Sequence, residues 1–103
     1  MAREVRVLIL EDNPADTELM LVALRRGGLE VEALAATGEQ EFRGLLDRLP
    51  DVVLTDYSLP GYDAIRAIRE VRSRGQDVPV IVVTGTINEE TAVNCIREGA
   101  TDY

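Results

Sequence analysis

Four residues that could bind a metal ion or a phosphoryl group lie at the ends of short apolar segments. Glu11 and Asp12 follow the first segment, Asp56 ends the second, and Thr84 ends the third. The segments are residues 5–10, 51–56 and 80–84. If they form neighbouring parallel strands, their carboxyl ends meet at one edge of a sheet, where open α/β sheets bind ligands. The sequence therefore predicts a crevice lined by three carboxylates and a hydroxyl.

The chemistry of this crevice follows from the closeness of its carboxylates. Close carboxylates raise one another's pKa unless a cation lies among them, and Mg²⁺ prefers such hard oxygen ligands. Each residue alone also has an ordinary interpretation. Glu11 and Asp12 suit a solvated turn before a helix, Asp56 suits the start of a turn, and Thr84 could bond a nearby backbone group. Their combination favours a Mg²⁺ site at which the metal offsets the charge of a phosphoryl group.

The segments between these ends must position them. Asn13 and Pro14 are typical of a helix start, and Gly27 with Gly28 stops that helix. Further helices are predicted from residue 37 to Pro50, over residues 62–74, and between residues 86 and 99. Strands are predicted at residues 5–10 and 31–36, up to Asp56, and at 80–84, with a fifth beginning at 102–103. Alternating strands and helices predict an α/β fold, with helices on both faces of a parallel sheet.

Several side chains have an expected structural role. The apolar stripe of the second helix is expected to be Phe42, Leu45, Leu46 and Leu49. The inward residues of the third helix are expected to be Ile65, Ile68 and Val71. Its arginines are expected to form a solvated face: Arg66, Arg69, Arg72 and Arg74. We expect Tyr57 and Tyr62 to pack in a loop, and Cys95 to be a small core residue.

The composition limits the classes of function. A chain of 103 residues suits one domain. Its net charge of −8 argues against binding to nucleic acid and to anionic membrane surfaces. The absence of histidine excludes His-based triads and His-ligated zinc, and the one cysteine excludes an internal disulfide. The start is charged and its apolar segment is too short for a signal peptide or a membrane span, so we expect a cytoplasmic protein.

Four segments together resemble the receiver domain of two-component response regulators. They are residues 7–13 (Val-Leu-Ile-Leu-Glu-Asp-Asn), 50–61 (Pro-Asp-Val-Val-Leu-Thr-Asp-Tyr-Ser-Leu-Pro-Gly), 78–85 (Val-Pro-Val-Ile-Val-Val-Thr-Gly) and 97–103 (Arg-Glu-Gly-Ala-Thr-Asp-Tyr). They occur in order over essentially the whole chain. The resemblance implies a flavodoxin-like, doubly wound parallel sheet with strand order 2-1-3-4, in which strand 5 only begins.

The resemblance also implies a function. Such a domain is a phosphoacceptor switch in signal transduction rather than an enzyme, although it assists its own phosphorylation and dephosphorylation. Asp56 would accept a phosphoryl group from a histidine kinase or a histidine phosphotransfer protein. The Mg²⁺ ligands would be Glu11, Asp12, Asp56 and the backbone carbonyl of Ser58. Thr84 would contact the phosphoryl group, and Tyr103 would be the switch aromatic.

The chain departs from the family pattern at two places. Tyr62-Asp-Ala replaces Met-Asp-Gly, a change expected on the surface side of the loop after Asp56. The sequence also stops at Tyr103, before a lysine expected three residues further on and before the rest of the last strand and helix. We therefore expect a receiver domain that is incomplete at its C-terminus and slowly phosphorylated. We also expect it to be either self-associated through that end or less stable than a longer form.

Two other functions fit parts of the pattern. A pseudo-receiver would use the same fold only for docking; the missing lysine favours it and the three acids oppose it. An aspartate-nucleophile phosphatase would have an Asp-x-Asp pattern at the strand end. Here Ser58 replaces the second aspartate of that pattern. Stoichiometric labelling by a phosphohistidine donor distinguishes the acceptor from a phosphatase, which would turn over a phosphoester.

Overall fold

A computed structural model of the protein describes residues 4–83. In chain order its elements are β1 (Glu4–Leu10), α1 (Pro14–Arg26), β2 (Glu30–Ala36), α2 (Glu39–Leu45), a 3-10 turn (Leu46–Arg48), β3 (Val52–Thr55), β4 (Ser58–Leu59), β5 (Tyr62–Asp63), α3 (Ala64–Ser73) and β6 (Val80–Val82). Four strands form a parallel sheet in the order β2-β1-β3-β6, and β4 and β5 form a small antiparallel hairpin. The predicted flavodoxin-like fold and strand order are confirmed, with β6 as the fourth strand of the sheet.

The register of the sheet aligns the carboxyl ends of its strands. Leu10 lies opposite Ala36 on β2 and opposite Thr55 on β3, and Thr55 lies opposite Val82 on β6. Because β1 and β3 are the inner strands, both of their faces are covered, which explains their nearly continuous apolar sequence. The residues just beyond Leu10 and Thr55 are therefore neighbours at one edge of the sheet.

Alternate residues of β1 belong to cores on opposite faces of the sheet. Leu8 and Leu10 lie in the core covered by α2 and α3, whereas Val7 and Ile9 lie in the core covered by α1. The helix residues buried in the first core include Phe42, Leu46, Ala64, Ala67, Ile68 and Val71. Helix α1 contributes Leu21, with Met20 and Leu24 packed beside it. The prediction of helices on both faces is confirmed.

Helix α1 begins and ends where the sequence predicts. The side-chain oxygen of Asn13 accepts a hydrogen bond from Ala15 N–H at 2.9 Å, and Pro14 occupies the first helical position. Such a cap contributes about 1 kcal/mol because it satisfies a backbone donor with no partner inside the helix. At the other end Gly27 is the C-cap residue, and Gly28 has a positive φ of 90°.

Helix α3 begins two residues later than the sequence suggests. Tyr62 and Asp63 pair with β4 in the hairpin, so the helix begins at Ala64. Asp63 is its N-cap residue, and its carboxylate accepts a hydrogen bond from Arg66 N–H at 2.8 Å. The inward residues are as predicted, with Ile68 and Val71 buried and Ile65 partly buried.

The predicted apolar stripe of α2 is wrong at Leu49. Phe42 and Leu46 are fully buried and Leu45 is partly buried, but Leu49 is 70% exposed. The helix tightens into the 3-10 turn after Leu45, and Leu49 then adopts a left-handed conformation with φ of 53°. This change of backbone direction turns the side chain away from the core, before Pro50 leads into β3.

Some predictions fall on residues 84–103 and lie outside the described residues. They are the fourth helix, the start of a fifth strand, Thr84, Cys95 and Tyr103. Within residues 4–83, none of the helices has the length and apolar character that crossing a bilayer requires.

Replacing Leu49 tests whether its backbone conformation is strained. A left-handed φ costs a residue with a side chain about 1–2 kcal/mol. Glycine adopts this φ freely, but it lowers the free energy of unfolding by about 0.4–1 kcal/mol relative to alanine, because its unfolded chain has more conformational entropy. Leu49→Gly is therefore expected to be more stable than Leu49→Ala by roughly 0.5–1 kcal/mol. Both variants lose the same exposed side chain, and urea unfolding measures the difference. Equal stability, or a more stable alanine variant, would show that this position is not strained.

Candidate functional site

Three acidic side chains meet at the carboxyl edge of the sheet. Glu11 and Asp12 follow β1 and Asp56 follows β3, and each offers an oxygen within 4.8 Å of the other two. Glu11 is buried, Asp56 is half-buried and Asp12 is exposed. The structure thus brings together the three acids that the sequence singled out. The cluster extends from the buried end of β1 to solvent.

Backbone hydrogen bonds hold the two strand ends together. Asp56 N–H donates to the Leu10 carbonyl at 2.9 Å, and Glu11 N–H donates to the Ala36 carbonyl at 3.0 Å. These bonds extend the strand pairing to the acidic residues themselves. The backbone of Glu11 and Asp56 is therefore positioned by the sheet rather than by a free loop.

Neighbouring groups also orient the acidic residues. Asn13 N–H donates to the Glu11 carboxylate at 3.1 Å, and Tyr57 N–H donates to the Asp56 carboxylate at 2.8 Å. The fully buried Thr55 hydroxyl donates to the Asp56 carbonyl at 2.9 Å. Thr55 is not among the residues predicted for the site. Its signal is a polar residue inside an otherwise apolar buried strand, immediately before the acid.

The environment of the cluster raises the pKa of Glu11 to about 7. Burial of the side chain is the largest cause, since desolvation disfavours the charged form. The negative charge of Asp56 and the contact with Asp12 raise the pKa further, whereas the hydrogen bond from Asn13 N–H lowers it. Repulsion among the acids therefore adds to the cost of ionising Glu11.

This donor set fits a hard divalent cation. Three carboxylates this close can all ionise at modest cost only if a positive charge lies among them. Mg²⁺ binds one or two protein carboxylates and retains several waters, which suits a cluster that is buried on one side and exposed on the other. Glu11, Asp12 and Asp56 are the residues that could hold it.

The chain after Asp56 forms the β4–β5 hairpin. Ser58 in β4 lies opposite Asp63 in β5, and Ala64 N–H donates to the Tyr57 carbonyl at 2.8 Å. The segment next to the acidic cluster is therefore tied to the first turn of α3. The role of the Ser58 carbonyl as a metal ligand stays a prediction.

Tyr62 does not lie on the surface side of this loop, and that prediction is wrong. It is 5% exposed, and its ring packs against Phe42 with 6.2 Å between ring centroids. Burial raises the pKa of Tyr62 to about 12, and the charges of Glu39 and Glu70 contribute. Tyr62 is a packing residue as expected, but it packs in the core rather than within the loop. Its main partner comes from α2, so no local pattern in the sequence indicates the contact.

The expectation that the arginines of α3 form a solvated face is confirmed for Arg66 and Arg69, which are exposed, and wrong for Arg72 and Arg74, which are partly buried. Arg66 donates to the Glu39 carboxylate at 3.2 Å and to the Gly61 carbonyl at 3.0 Å. Arg74 pairs with Asp47 of the 3-10 turn at 3.1 Å. These arginines connect α3 to the α2 region and to the hairpin. Sequence alone does not pair an arginine with an acid from another element.

Two predicted site residues cannot be placed relative to the cluster. Thr84 and Tyr103 both lie outside the described residues. The contact of Thr84 with a phosphoryl group and the role of Tyr103 as the switch aromatic stay predictions.

Comparison with known proteins identifies similar chains over nearly the whole length. The family model described as response regulator receiver domain matches residues 7–103. The chain is 37% identical over 98 residues to the regulatory protein AtoC of Escherichia coli (strain K12), covering 95% of this chain and 21% of that protein. It is 35% identical over 98 residues to the transcriptional regulatory protein KdpE of Staphylococcus aureus (strain NCTC 8325 / PS 47), covering 95% and 42%. The chain thus spans about a fifth to two fifths of the length of these relatives.

Solved structures have the same fold. A response regulator receiver protein from Pseudomonas putida has a TM-score of 0.81 at 27% identity, covering 100% of this chain and 86% of that one. The receiver domain of the sensor histidine kinase PA1611 from Pseudomonas aeruginosa PAO1 has a TM-score of 0.80 at 28% identity, covering 98% and 84%. That structure is described as having a magnesium ion coordinated in its active-site cleft.

The raised pKa of Glu11 predicts a pH dependence of stability in EDTA. At intermediate pH the folded protein keeps a proton on Glu11 that the unfolded chain has released. The stabilisation from this proton is complete below about pH 4.5, the pKa in the unfolded chain, and is lost as the pH rises to about 7, the pKa in the folded protein. The loss is on the order of 2–3 kcal/mol. Glu11→Gln keeps the acceptor for Asn13 N–H but removes the titration.

The comparison is made by urea unfolding at several pH values between 5 and 8, with about equal ionic strength. The advantage of Glu11→Gln over the unmodified protein is expected to grow with pH across this range. Glu18→Gln, at an exposed position of α1, controls for the loss of one negative charge. An advantage of Glu11→Gln that does not change with pH would contradict the assigned titration.

Proposed function

Because the chain belongs to the response regulator receiver domain family, we propose that it is a phosphoacceptor switch. In this proposal Asp56 accepts a phosphoryl group from a histidine kinase or a histidine phosphotransfer protein, in a Mg²⁺-dependent reaction. The receiver is a signalling domain. Its output would be a change in its own conformation, which biases the binding of later partners.

One observation carries the proposal: the Asp56 carboxylate lies within 4.8 Å of Glu11 and Asp12 at the end of an inner strand. Asp56 is half-buried, so a partner can reach it, and its backbone is bonded to β1. An aspartate with a purely structural role gains nothing from lying close to two further acids, because the repulsion among the three carboxylates is unfavourable.

Glu11, Asp12 and Asp56, with the Ser58 carbonyl, would hold Mg²⁺. When bound, the metal would offset the negative charge of the three carboxylates and of the incoming phosphoryl group. This role gives a physical reason for an acidic cluster in which the pKa of Glu11 is raised. A cytoplasmic location and self-association through the chain's last residues stay predictions.

The chemistry asks the protein for positioning rather than for a strong base. A carboxylate oxygen of Asp56 would attack the phosphorus atom in line with the bond between phosphorus and the donor imidazole nitrogen. The P–O bond forms, the P–N bond breaks, and its electron pair leaves with the imidazole, which takes a proton from solvent. Tyr57 N–H, which donates to the Asp56 carboxylate, would keep the carboxylate in one orientation.

The later steps fall to residues outside the described part of the chain. Thr84 would contact the phosphoryl oxygen, and Tyr103 would rotate as the switch aromatic. The chain covers less than half of the length of each of the two relatives named above. The receiver domain alone therefore does not define the response that follows phosphorylation.

A small phosphodonor such as phosphoramidate tests the acceptor. Labelling of the unmodified protein should need Mg²⁺, reach at most one phosphoryl group per chain and be lost in alkali, as expected for an acyl phosphate. Asp56→Asn should remove the label, whereas Asp47→Asn, an equal change of charge in the 3-10 turn, should keep it. Label that survives in Asp56→Asn would refute the acceptor, and multiple turnover of a phosphoester would favour a phosphatase.

Titration with Mg²⁺ tests the metal site separately. Asp12→Ala should lose Mg²⁺ binding, measured by calorimetry, yet remain folded and as stable or more stable in EDTA, because a like charge is removed from the cluster. Mg²⁺ at about 100 times its dissociation constant should stabilise the unmodified protein by about 2.7 kcal/mol. Asp16→Ala, an exposed aspartate in the first turn of α1, is the control. Equal Mg²⁺ binding by Asp12→Ala and the unmodified protein would show that the cluster is not the site.

A further inference from the structure

We propose that Arg66 is a positioning residue that holds the β4–β5 hairpin, and with it the Ser58 backbone, beside the acidic cluster. The inference deepens the proposed function and rests on it, because Ser58 matters only if its carbonyl binds Mg²⁺. Arg66 itself lies in α3 and contacts the hairpin and α2.

The Arg66 side chain contacts the hairpin at two points. One guanidinium nitrogen donates to the Gly61 carbonyl at 3.0 Å, in the turn between β4 and β5. The guanidinium carbon lies 4.9 Å from the centroid of the Tyr62 ring, a distance typical of a cation–π contact. Gly61 has a φ of 76°, so the carbonyl that Arg66 binds belongs to a turn with a left-handed residue, a conformation that glycine adopts without strain.

The same side chain connects this turn to α2. The second guanidinium nitrogen donates to the Glu39 carboxylate at 3.2 Å, at the first residue of α2. The Tyr62 ring beneath Arg66 packs on Phe42, which is fully buried in α2. An arginine suits this position because its planar fork can donate in two directions while its face lies on an aromatic ring.

The hairpin needs such an anchor because its own pairing is small. Each of its strands has two residues, and an isolated hairpin is at best marginally stable in water. Its base is held by the bond from Ala64 N–H to the Tyr57 carbonyl, which is next to Asp56. Leu59 of β4 and Tyr62 of β5 are buried in the core, and Arg66 holds the exposed turn between them. Ser58 lies between the base and the turn, so loosening the turn is expected to let the Ser58 backbone move relative to the three acids.

Arg43 provides a matched control. It also connects α2 to α3, through Glu70 at 3.1 Å, and lies 4.0 Å from Glu39. The side chains of Arg43 and Arg66 are 55% and 49% exposed, so both ion pairs are similarly screened by solvent. The contacts to Gly61 and to the Tyr62 ring distinguish Arg66 from Arg43.

The test compares Arg66→Met with Arg43→Met in three measurements. Both should lose a similar, small amount of stability to urea. Arg66→Met should weaken Mg²⁺ binding, measured by calorimetry, by about tenfold, the lower end of the effect of removing a group that orients a metal ligand. In metal-free protein, hydrogen exchange at the Ala64 amide should quicken by roughly tenfold in Arg66→Met and stay unchanged in Arg43→Met.

Arg66→Lys separates geometry from charge. Lysine keeps the positive charge near Glu39 but lacks the planar fork, so it should restore stability without restoring Mg²⁺ affinity. Equal Mg²⁺ affinity and Ala64 exchange in Arg66→Met and Arg43→Met would overturn the inference, as would full recovery of affinity in Arg66→Lys. If the unmodified protein binds no Mg²⁺, the proposed function fails, but faster Ala64 exchange in Arg66→Met alone would still show that Arg66 holds the hairpin.

Discussion

The parallel pairing of β1 with β3 places Leu10 opposite Thr55, and the geometry of the site depends on that register. A slip by one residue would turn every side chain of a strand to the other face of the sheet. Such a slip is opposed on both faces, because Leu8 and Leu10 are fully buried on one side and Val7 and Ile9 on the other. Burying one such aliphatic side chain contributes about 1.5–3 kcal/mol, so four of them outweigh the roughly 2–3 kcal/mol that the raised pKa of Glu11 represents. The hydrophobic core can therefore hold carboxylates together that repel one another.

This balance explains why the protein can hold a cluster of acids that repel one another. Glu11 is buried with its carboxylate bonded to one backbone N–H, whereas Asp12 reaches solvent. A cation that enters from the exposed side would relieve repulsion that the fold imposes. Elsewhere in residues 4–83, some acids are paired with arginines: Glu32 with Arg6 at 3.0 Å, and Glu70 with Arg74 at 2.8 Å. The acids beside Asp56 thus remain a local concentration of negative charge within a chain of net charge −8.

The region after Asp56 shows how distant elements reach the site. Tyr62 packs on Phe42 of α2, and Arg66 of α3 bonds both to the turn of the hairpin and to Glu39 of α2. The ion pair is half-exposed and contributes little to global stability. Its expected importance is local, because it acts on the exposed turn of a hairpin whose backbone pairing is small and whose strands are held by the buried Leu59 and Tyr62.

The alternation of strands and helices and the three acids at the sheet edge could be predicted from the amino-acid sequence, and the strand order could be predicted from the family resemblance. These features follow from periodicity, caps such as Asn13, and the rule that parallel strands end together. Three features became visible only in the folded chain: Leu49 leaves the core, Tyr62 is buried against Phe42, and Arg66 binds Gly61. The physical reason is that local patterns specify which face of an element is apolar, whereas pairing between elements depends on how those elements pack. The sequence does not specify which of many acids an arginine will pair with, because the packing of the elements selects the partner.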